Sequence, residues 1–192
     1  MKNAFRLLIA AAVMTTAFSC GHRAEDASST EIAADSNKKE LEAKDSTELK
    51  SDAEFAVKAA NGGLLEVQLG KLAATKATTA EAKQFAEMMV TDHTKANQEL
   101  MALAGTKTIT LPAVLDASAQ KDYDDLAKTD KKDFDKAYID YMVKDHKEDV
   151  DEFKKEAQDG KDAELKAFAA KTTPILEHHL QMAQKAADAL KK

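Results

Sequence analysis

The sequence predicts an all-α fold from its composition and from the spacing of its apolar residues. Its 192 residues include six Gly, two Pro and no Trp, too few turn-forming residues for a sandwich, a barrel or a many-stranded sheet. Ala, Lys, Glu, Asp and Leu dominate instead, and apolar residues recur at alternating steps of three and four, the spacing of one helix face. Because 44% of the residues are hydrophobic, the chain can bury the core of one domain.

The first twenty residues are typical of an exported protein. Lys2 and Arg6 precede the apolar run 7–14, which is too short to cross a membrane but suits the core of a signal peptide. Small residues then lead to Cys20, the single cysteine, in a pattern that resembles the lipobox of bacterial lipoproteins. The resemblance implies that residues 1–19 are a lipoprotein signal peptide, cleaved before Cys20, and that the Cys20 thiol is lipidated. The alternative is a plain secretory peptide with an incidental cysteine.

Residues 20–50 are predicted to form the lipidated Cys20 and a flexible tether. Ile32, Leu41 and Leu49 are the large apolar residues of the stretch after Cys20, and three such residues cannot bury a core. The alternative is a short docking helix over about residues 38–50. The folded domain is therefore expected over residues 51–192.

Four long helical stretches are expected in this domain. Each has a line of apolar residues along one face of the helix, which we call its seam, and one polar residue interrupts each seam. The seams lie at about residues 55–73, 79–104, 132–157 and 162–190. The interrupting residues are, in the same order, Glu66, His93, His146 and His179. Because the apolar seam of a helix faces the core, all four polar side chains are expected to be buried.

The connections predict how these helices are arranged. Short connections at about residues 75–79 and 158–161 make two antiparallel hairpins. A long segment, residues 105–131, joins the hairpins and contains a predicted short helix over about residues 116–128. Two hairpins with one long crossover is the ferritin-like connectivity, so the sequence predicts a ferritin-like four-helix bundle.

The four polar residues of the seams are candidates for a metal site. Each lies near the middle of its helix, and antiparallel helices of similar length bring their midpoints to one layer. Buried imidazoles and a carboxylate are costly unless they bind a metal or pair with one another. An N-rich site of this kind suits a single Zn, Cu or Fe ion, while a buried His–Glu network that sets helix register is the rival. Supporting contacts are expected from their sequence neighbours Asp92, Asp145, Glu177 and His178.

Several classes of function are disfavoured by the sequence. The di-iron signature of ferritin-like proteins places Glu three residues before His, but Val90, Val143 and Leu176 stand there. A carboxylate-bridged di-iron oxidase is therefore disfavoured. The sequence has no nucleophile elbow, Gly-rich phosphate loop or Cys nucleophile, so no catalytic residue is assigned. A net charge of -6 without a basic stripe argues against a nucleic-acid partner.

Five segments together resemble a bacterial envelope family known as domain of unknown function 4142. They are FAVKAANGGLLEVQLGKLAATKA, FAEMMVTDHTKANQELMALA, the Leu-Pro pair at 111–112, FDKAYIDYMVKDHKEDVDEFKKEA and TPILEHHLQMA. The resemblance covers about residues 52–190 and implies a ferritin-like four-helix bundle exported to the cell envelope, often described as an outer-membrane protein. The family's characteristic positions correspond here to Glu66, Asp92-His93, Asp145-His146 and His179. No established activity comes with the resemblance.

The leading hypothesis is a non-catalytic, lipid-anchored bundle at the outer membrane, facing the periplasm. It would bind a metal ion or small ligand through Glu66, His93, His146 and His179, in envelope stress or metal handling. The membrane, reached through lipidated Cys20, is its expected partner. The sequence leaves its protein partners open and is compatible with a homo-oligomer. A non-metal structural or interaction module of the envelope is the alternative, and a metal-dependent redox enzyme is a third.

Overall fold

The structure is a computed structural model that describes residues 28–43 and 49–191. Within these ranges the chain forms helices and no strand, so the all-α prediction is confirmed. The helices are α1 (Ser29–Ala43), α2 (Lys50–Lys76), α3 (Ala80–Lys107), α4 (Ala117–Lys128), α5 (Lys131–Asp159) and α6 (Ala163–Ala189). The predicted signal peptide and the predicted lipidation of Cys20 lie outside the described residues.

The four long helices α2, α3, α5 and α6 coincide with the four predicted stretches, and α4 coincides with the predicted short helix of the crossover. Helix α2 packs along α3, and α5 packs along α6; contacts between α3 and α6 and between α2 and α5 join the two pairs. Thr79 and Asp162 begin the second helix of each pair, because their side chains accept backbone hydrogen bonds from Ala82 and Leu165. None of the described helices is long and apolar enough to cross a membrane.

Two buried aspartates tie each helix pair to the turn of the other pair. Asp135 on α5 accepts hydrogen bonds from the backbone N–H groups of Thr78 and Thr79, at 3.0 and 2.7 Å, in the turn between α2 and α3. Asp52 on α2 accepts one from the backbone N–H of Lys161, at 2.7 Å, in the turn between α5 and α6. This reciprocal pairing sets the axial position of one helix pair against the other.

The core consists of two apolar clusters separated along the helix axes. The first contains residues such as Leu69, Met89, Met142 and Ala183, and the second contains residues such as Ala60, Leu100, Val150 and Leu176. Each of the four long helices passes from one cluster to the other near its interrupting residue. Glu66, His93, His146 and His179 therefore form a polar layer between two apolar halves of the core.

Residues 29–43 differ from the flexible tether that the sequence predicts, because they form α1. This helix packs on α2 through the buried Ala33 and Asn37. The Asn37 side chain donates to the backbone carbonyl of Thr110 at 3.0 Å and accepts from its N–H at 2.6 Å. The stretch has few large apolar residues, but a small alanine face and these hydrogen bonds to the crossover segment hold it in place.

At two glycines of α2, an added methyl group is expected to have opposite effects on the stability of the protein. A Cβ at Gly70 would lie 2.8 Å from Val90 Cγ2 and 3.1 Å from the Ala86 carbonyl oxygen, whereas a Cβ at Gly62 would meet no atom within 4 Å. We expect G62A to raise the free energy of unfolding by about 1 kcal/mol through helix propensity. We expect G70A to lower it by about 1–3 kcal/mol through overpacking. Urea unfolding followed by circular dichroism measures both, and shifts of the same sign would contradict the close α2–α3 contact.

Candidate metal centre

The structure brings the four interrupting residues together in the polar layer. His146 and His179 are fully buried, and His93 and Glu66 are only 6% and 2% exposed. The ring centroids are 5.2 Å apart for His93 and His179, 5.4 Å for His146 and His179, and 5.6 Å for His93 and His146. One nitrogen from each ring lies within 4.8 Å of one nitrogen from each of the other two. Three helices thus direct three imidazoles at a common point.

A chain of polar contacts runs through this layer from α2 to the surface. His93 Nδ1 lies 2.6 Å from Glu66 Oε2, and His93 Nε2 lies 3.3 Å from His179 Nδ1. His179 Nε2 in turn lies 2.9 Å from Oδ2 of Asp92, a partly exposed carboxylate on α3. The chain therefore links the buried Glu66 through two imidazoles to a carboxylate that water can reach.

His146 is different, because its ring has no hydrogen-bond partner among the described residues. Its Nε2 lies 3.5 Å from Glu66 Oε1, and its Nδ1 lies 3.7 Å from Asp145 Oδ2. Glu66 Oε1 and Asp145 Oδ2 are also buried without a hydrogen-bond partner in the same part of the chain. A buried polar atom without a partner costs about 1–3 kcal/mol. These atoms can therefore bind a ligand that the layer encloses, and the Glu66 and Asp145 carboxyl groups can alternatively share a proton.

The electrostatics of the layer place its groups in the protonation states that metal binding requires. Burial alone would raise the pKa of Glu66, but the charges of the three histidines and the hydrogen bond to His93 lower it to about 2. Burial lowers the pKa of His146 to about 4, against the attraction of Glu66. Burial also lowers the pKa of His179, against the hydrogen bond to Asp92. At neutral pH the carboxylate is therefore ionised, and the His146 and His179 imidazoles are neutral and able to ligate.

Two of the four predicted supporting residues lie beside the layer, and two do not. Asp92 contacts His179, and Asp145 lies next to His146. Glu177 instead forms an ion pair with Lys154 at 2.7 Å, and His178 is exposed. Each step along a helix turns the side chain by about 100°, so neighbours of His179 on α6 point away from the site that it enters.

Asp149 is a site residue that the sequence analysis missed. Glu66, Asp145, His146 and Asp149 each offer one ligand atom, and these atoms lie within 4.8 Å of one another. Asp149 follows His146 by three residues, and residues three apart share a helix face. The spacing Asp-His-x-x-Asp on α5 is the signal that points to it in the sequence.

A family described as domain of unknown function (DUF4142) matches residues 38–186. The chain belongs to this family. The DUF4142 match begins inside α1 and ends inside α6, so it includes every residue of the polar layer. None of the curated proteins and none of the solved structures compared with this DUF4142 chain matches it. The family description names no activity, and the chemistry of the site must therefore be argued from its residues.

Proposed function

We propose that this DUF4142 protein binds a first-row transition-metal ion in its core through His93, His146 and His179, with Glu66 holding His93 in place. The observation that carries the proposal is the convergence of one ring nitrogen from each histidine to within 4.8 Å. Glu66 lies outside this group of converging atoms and contacts the outer nitrogen of His93. Imidazole is a ligand that suits Zn, Cu and Fe ions, and three imidazoles on one ion leave its fourth position open.

The second nitrogen of two of the histidines supports the proposal. His93 Nδ1 faces Glu66 Oε2 and His179 Nε2 faces Asp92, at 2.6 and 2.9 Å. Metal-ligating histidines usually direct their other ring nitrogen at a carboxylate, carbonyl or water, which orients the ring and raises its basicity. His93 and His179 repeat this arrangement, whereas His146 Nδ1 lies 3.7 Å from Asp145, beyond hydrogen-bond distance.

A purely structural His–Glu network accounts for only part of the layer. It explains the contacts of His93 with Glu66 and His179, but it leaves His146 Nε2 without a partner in the described residues. An apolar residue at position 146 would avoid this cost, because removing an unpaired buried polar group is neutral or stabilising. A bound ion supplies the missing partner.

The proposal also covers the cellular location and the fold of the protein. We propose that Cys20 carries lipid, that the chain is attached to the outer membrane of a bacterium facing the periplasm, and that α2, α3, α5 and α6 are a ferritin-like four-helix bundle. The apolar run before Cys20 supports the anchor, and the two helix pairs with one long crossover support the bundle. The role that follows is metal handling at the envelope, including under envelope stress.

The test is metal analysis of the purified full-length protein after exposure to Zn²⁺, Cu²⁺ or Fe²⁺. We expect about one ion per chain, and a stabilisation of about 2.7 kcal/mol at a free concentration one hundred times Kd. The variant H93Q/H146Q/H179Q should bind none, while H178Q, which changes the exposed neighbour of His179, should match the wild type. No bound ion and a Tm indifferent to all three metals would establish the histidines as an internal hydrogen-bonding network instead.

A further inference from the structure

We propose a second cation site beside the histidine site, formed by Glu66, Asp145, Asp149 and His146. One ligand atom from each of these residues lies within 4.8 Å of the others. The set contains three carboxylates and one imidazole, whereas the histidine site is built on three imidazoles. Carboxylate-rich sets favour harder divalent cations such as Mn²⁺, and imidazole-rich sets favour Zn and Cu. The two sites therefore differ in the metal that they select.

The buried atoms of this second site lack other partners. Glu66 and His146 are more than nine-tenths buried, and Glu66 Oε1 and His146 Nδ1 have no hydrogen-bond partner in the residues that the structure describes. His146 Nδ1 lies 3.7 Å from Asp145 Oδ2, and His146 Nε2 is left to the histidine site. Glu66 Oε2 contacts His93, so the other oxygen of the same carboxylate remains available. Glu66 thus orients His93 with one oxygen and offers the other to the second site.

Three carboxyl groups in one partly buried cluster also need a positive charge. Lys144, on the same helix as Asp145 and Asp149, is exposed and approaches Glu148 at 4.0 Å, and Lys58 on α2 contacts Glu152. A divalent cation at the cluster would supply the positive charge that its buried carboxylates need.

A cleft connects this cluster to solvent. It has a volume of about 550 Å³, is lined by residues of α1, α2, α4 and α5, and includes Asp145 and Asp149 in its wall. Eight acidic residues and two lysines line it. A cleft with an excess of one charge concentrates the opposite ion. Cations from solvent can therefore reach the second site directly, without passing through the histidine site.

The test is a Mn²⁺ titration of full-length protein that has first received one equivalent of Zn²⁺, with free Mn²⁺ measured by its electron paramagnetic resonance signal. We expect about one further Mn²⁺ per chain, and at least about a tenfold loss of Mn²⁺ affinity in D149N with the Zn²⁺ content unchanged. The variant E148Q removes a charge from the same helix and the same cleft, and it should bind Mn²⁺ like the wild type. If D149N does not fold, D145N should show the same loss of Mn²⁺ affinity.

Two results would overturn this second site. The wild type could bind no Mn²⁺, in which case a shared proton balances the carboxylates, or D149N and E148Q could bind Mn²⁺ equally well. The reciprocal variant H93Q/H179Q keeps the two proposals apart, because it should lose Zn²⁺ and retain Mn²⁺. A wild type that binds Mn²⁺ but no Zn²⁺, Cu²⁺ or Fe²⁺ would refute the histidine site and leave the second site standing.

Discussion

Glu66→Gln is expected to lower the free energy of unfolding of the metal-free protein by about 2 kcal/mol at pH 7, because the charged acceptor of a buried hydrogen bond becomes a neutral one. The Glu66 carboxylate is buried and lies 2.6 Å from His93 Nδ1. Its pKa falls from an ordinary 4.5 to about 2 in the folded protein, so it is ionised at pH 7. The amide oxygen of glutamine is uncharged and is therefore the weaker acceptor.

The pH dependence of this loss of stability shows whether it comes from the charge of Glu66 or from the shape of its side chain. A carboxyl whose pKa is lowered on folding stabilises the protein above its unfolded pKa, and that stability is lost as the pH falls toward the folded pKa. The difference between wild type and E66Q should therefore shrink as the pH falls from about 4.5 toward about 2.

Urea unfolding at a series of pH values, with metal removed by a chelator, measures the effect of E66Q. The matched control is E54Q on the same helix, because the Glu54 side chain is 61% exposed. We expect E54Q to change the free energy of unfolding by less than about 0.5 kcal/mol. Equal stability of E66Q and wild type at pH 7 would contradict the charged pairing of Glu66 with the histidines.

His146→Leu is expected to remove an acid-induced loss of stability from the metal-free protein. The pKa of His146 falls from 6.5 to about 4 on folding, so the unfolded chain binds a proton in this interval that the folded protein excludes. Wild type should therefore lose up to about 3 kcal/mol as the pH falls from about 6.5 to about 4. H146L lacks this contribution and should be the more stable protein at pH 4, although it should lose metal binding.

Thermal melting across this pH range, with and without Zn²⁺, measures both properties of H146L. At pH 7 the leucine should cost little stability, because the His146 ring nitrogens have no hydrogen-bond partner within residues 28–43 and 49–191. The control H178L changes the exposed histidine of α6 and should keep the pH profile of the wild type. Parallel profiles of H146L and wild type would show that His146 titrates normally.

The helical seams explain why much of the candidate site could be predicted. Glu66, His93, His146 and His179 stand at apolar positions of their seams, and the structure buries all four. Helix α1 could not be predicted in the same way, because it is held by Asn37 and the backbone of Thr110, residues far apart in the sequence. Its own apolar face is too small to reveal the contact.

The partners of the side chains around the histidines could not be predicted from the sequence either. Glu177 is adjacent in sequence to the exposed His178 and pairs with Lys154 on another helix. Asp149 lies among the ligand atoms of the second site, and its local signal is only that it follows His146 by three residues. The side chains of neighbouring residues on a helix point about 100° apart. Which of them contacts a partner depends on the position of the helix packed against it.

The sequence by itself determined the long helices, their connections and the depth of the four polar residues along them, because periodicity and rise per residue are local properties of a helix. Only the tertiary structure decided which nitrogen faces which carboxylate, that Asp149 joins the cluster and that Glu177 and His178 do not. The physical reason is that these contacts depend on the rotation and axial position of one helix against another. Asp52 and Asp135 help to set that position through turns that are distant in the sequence.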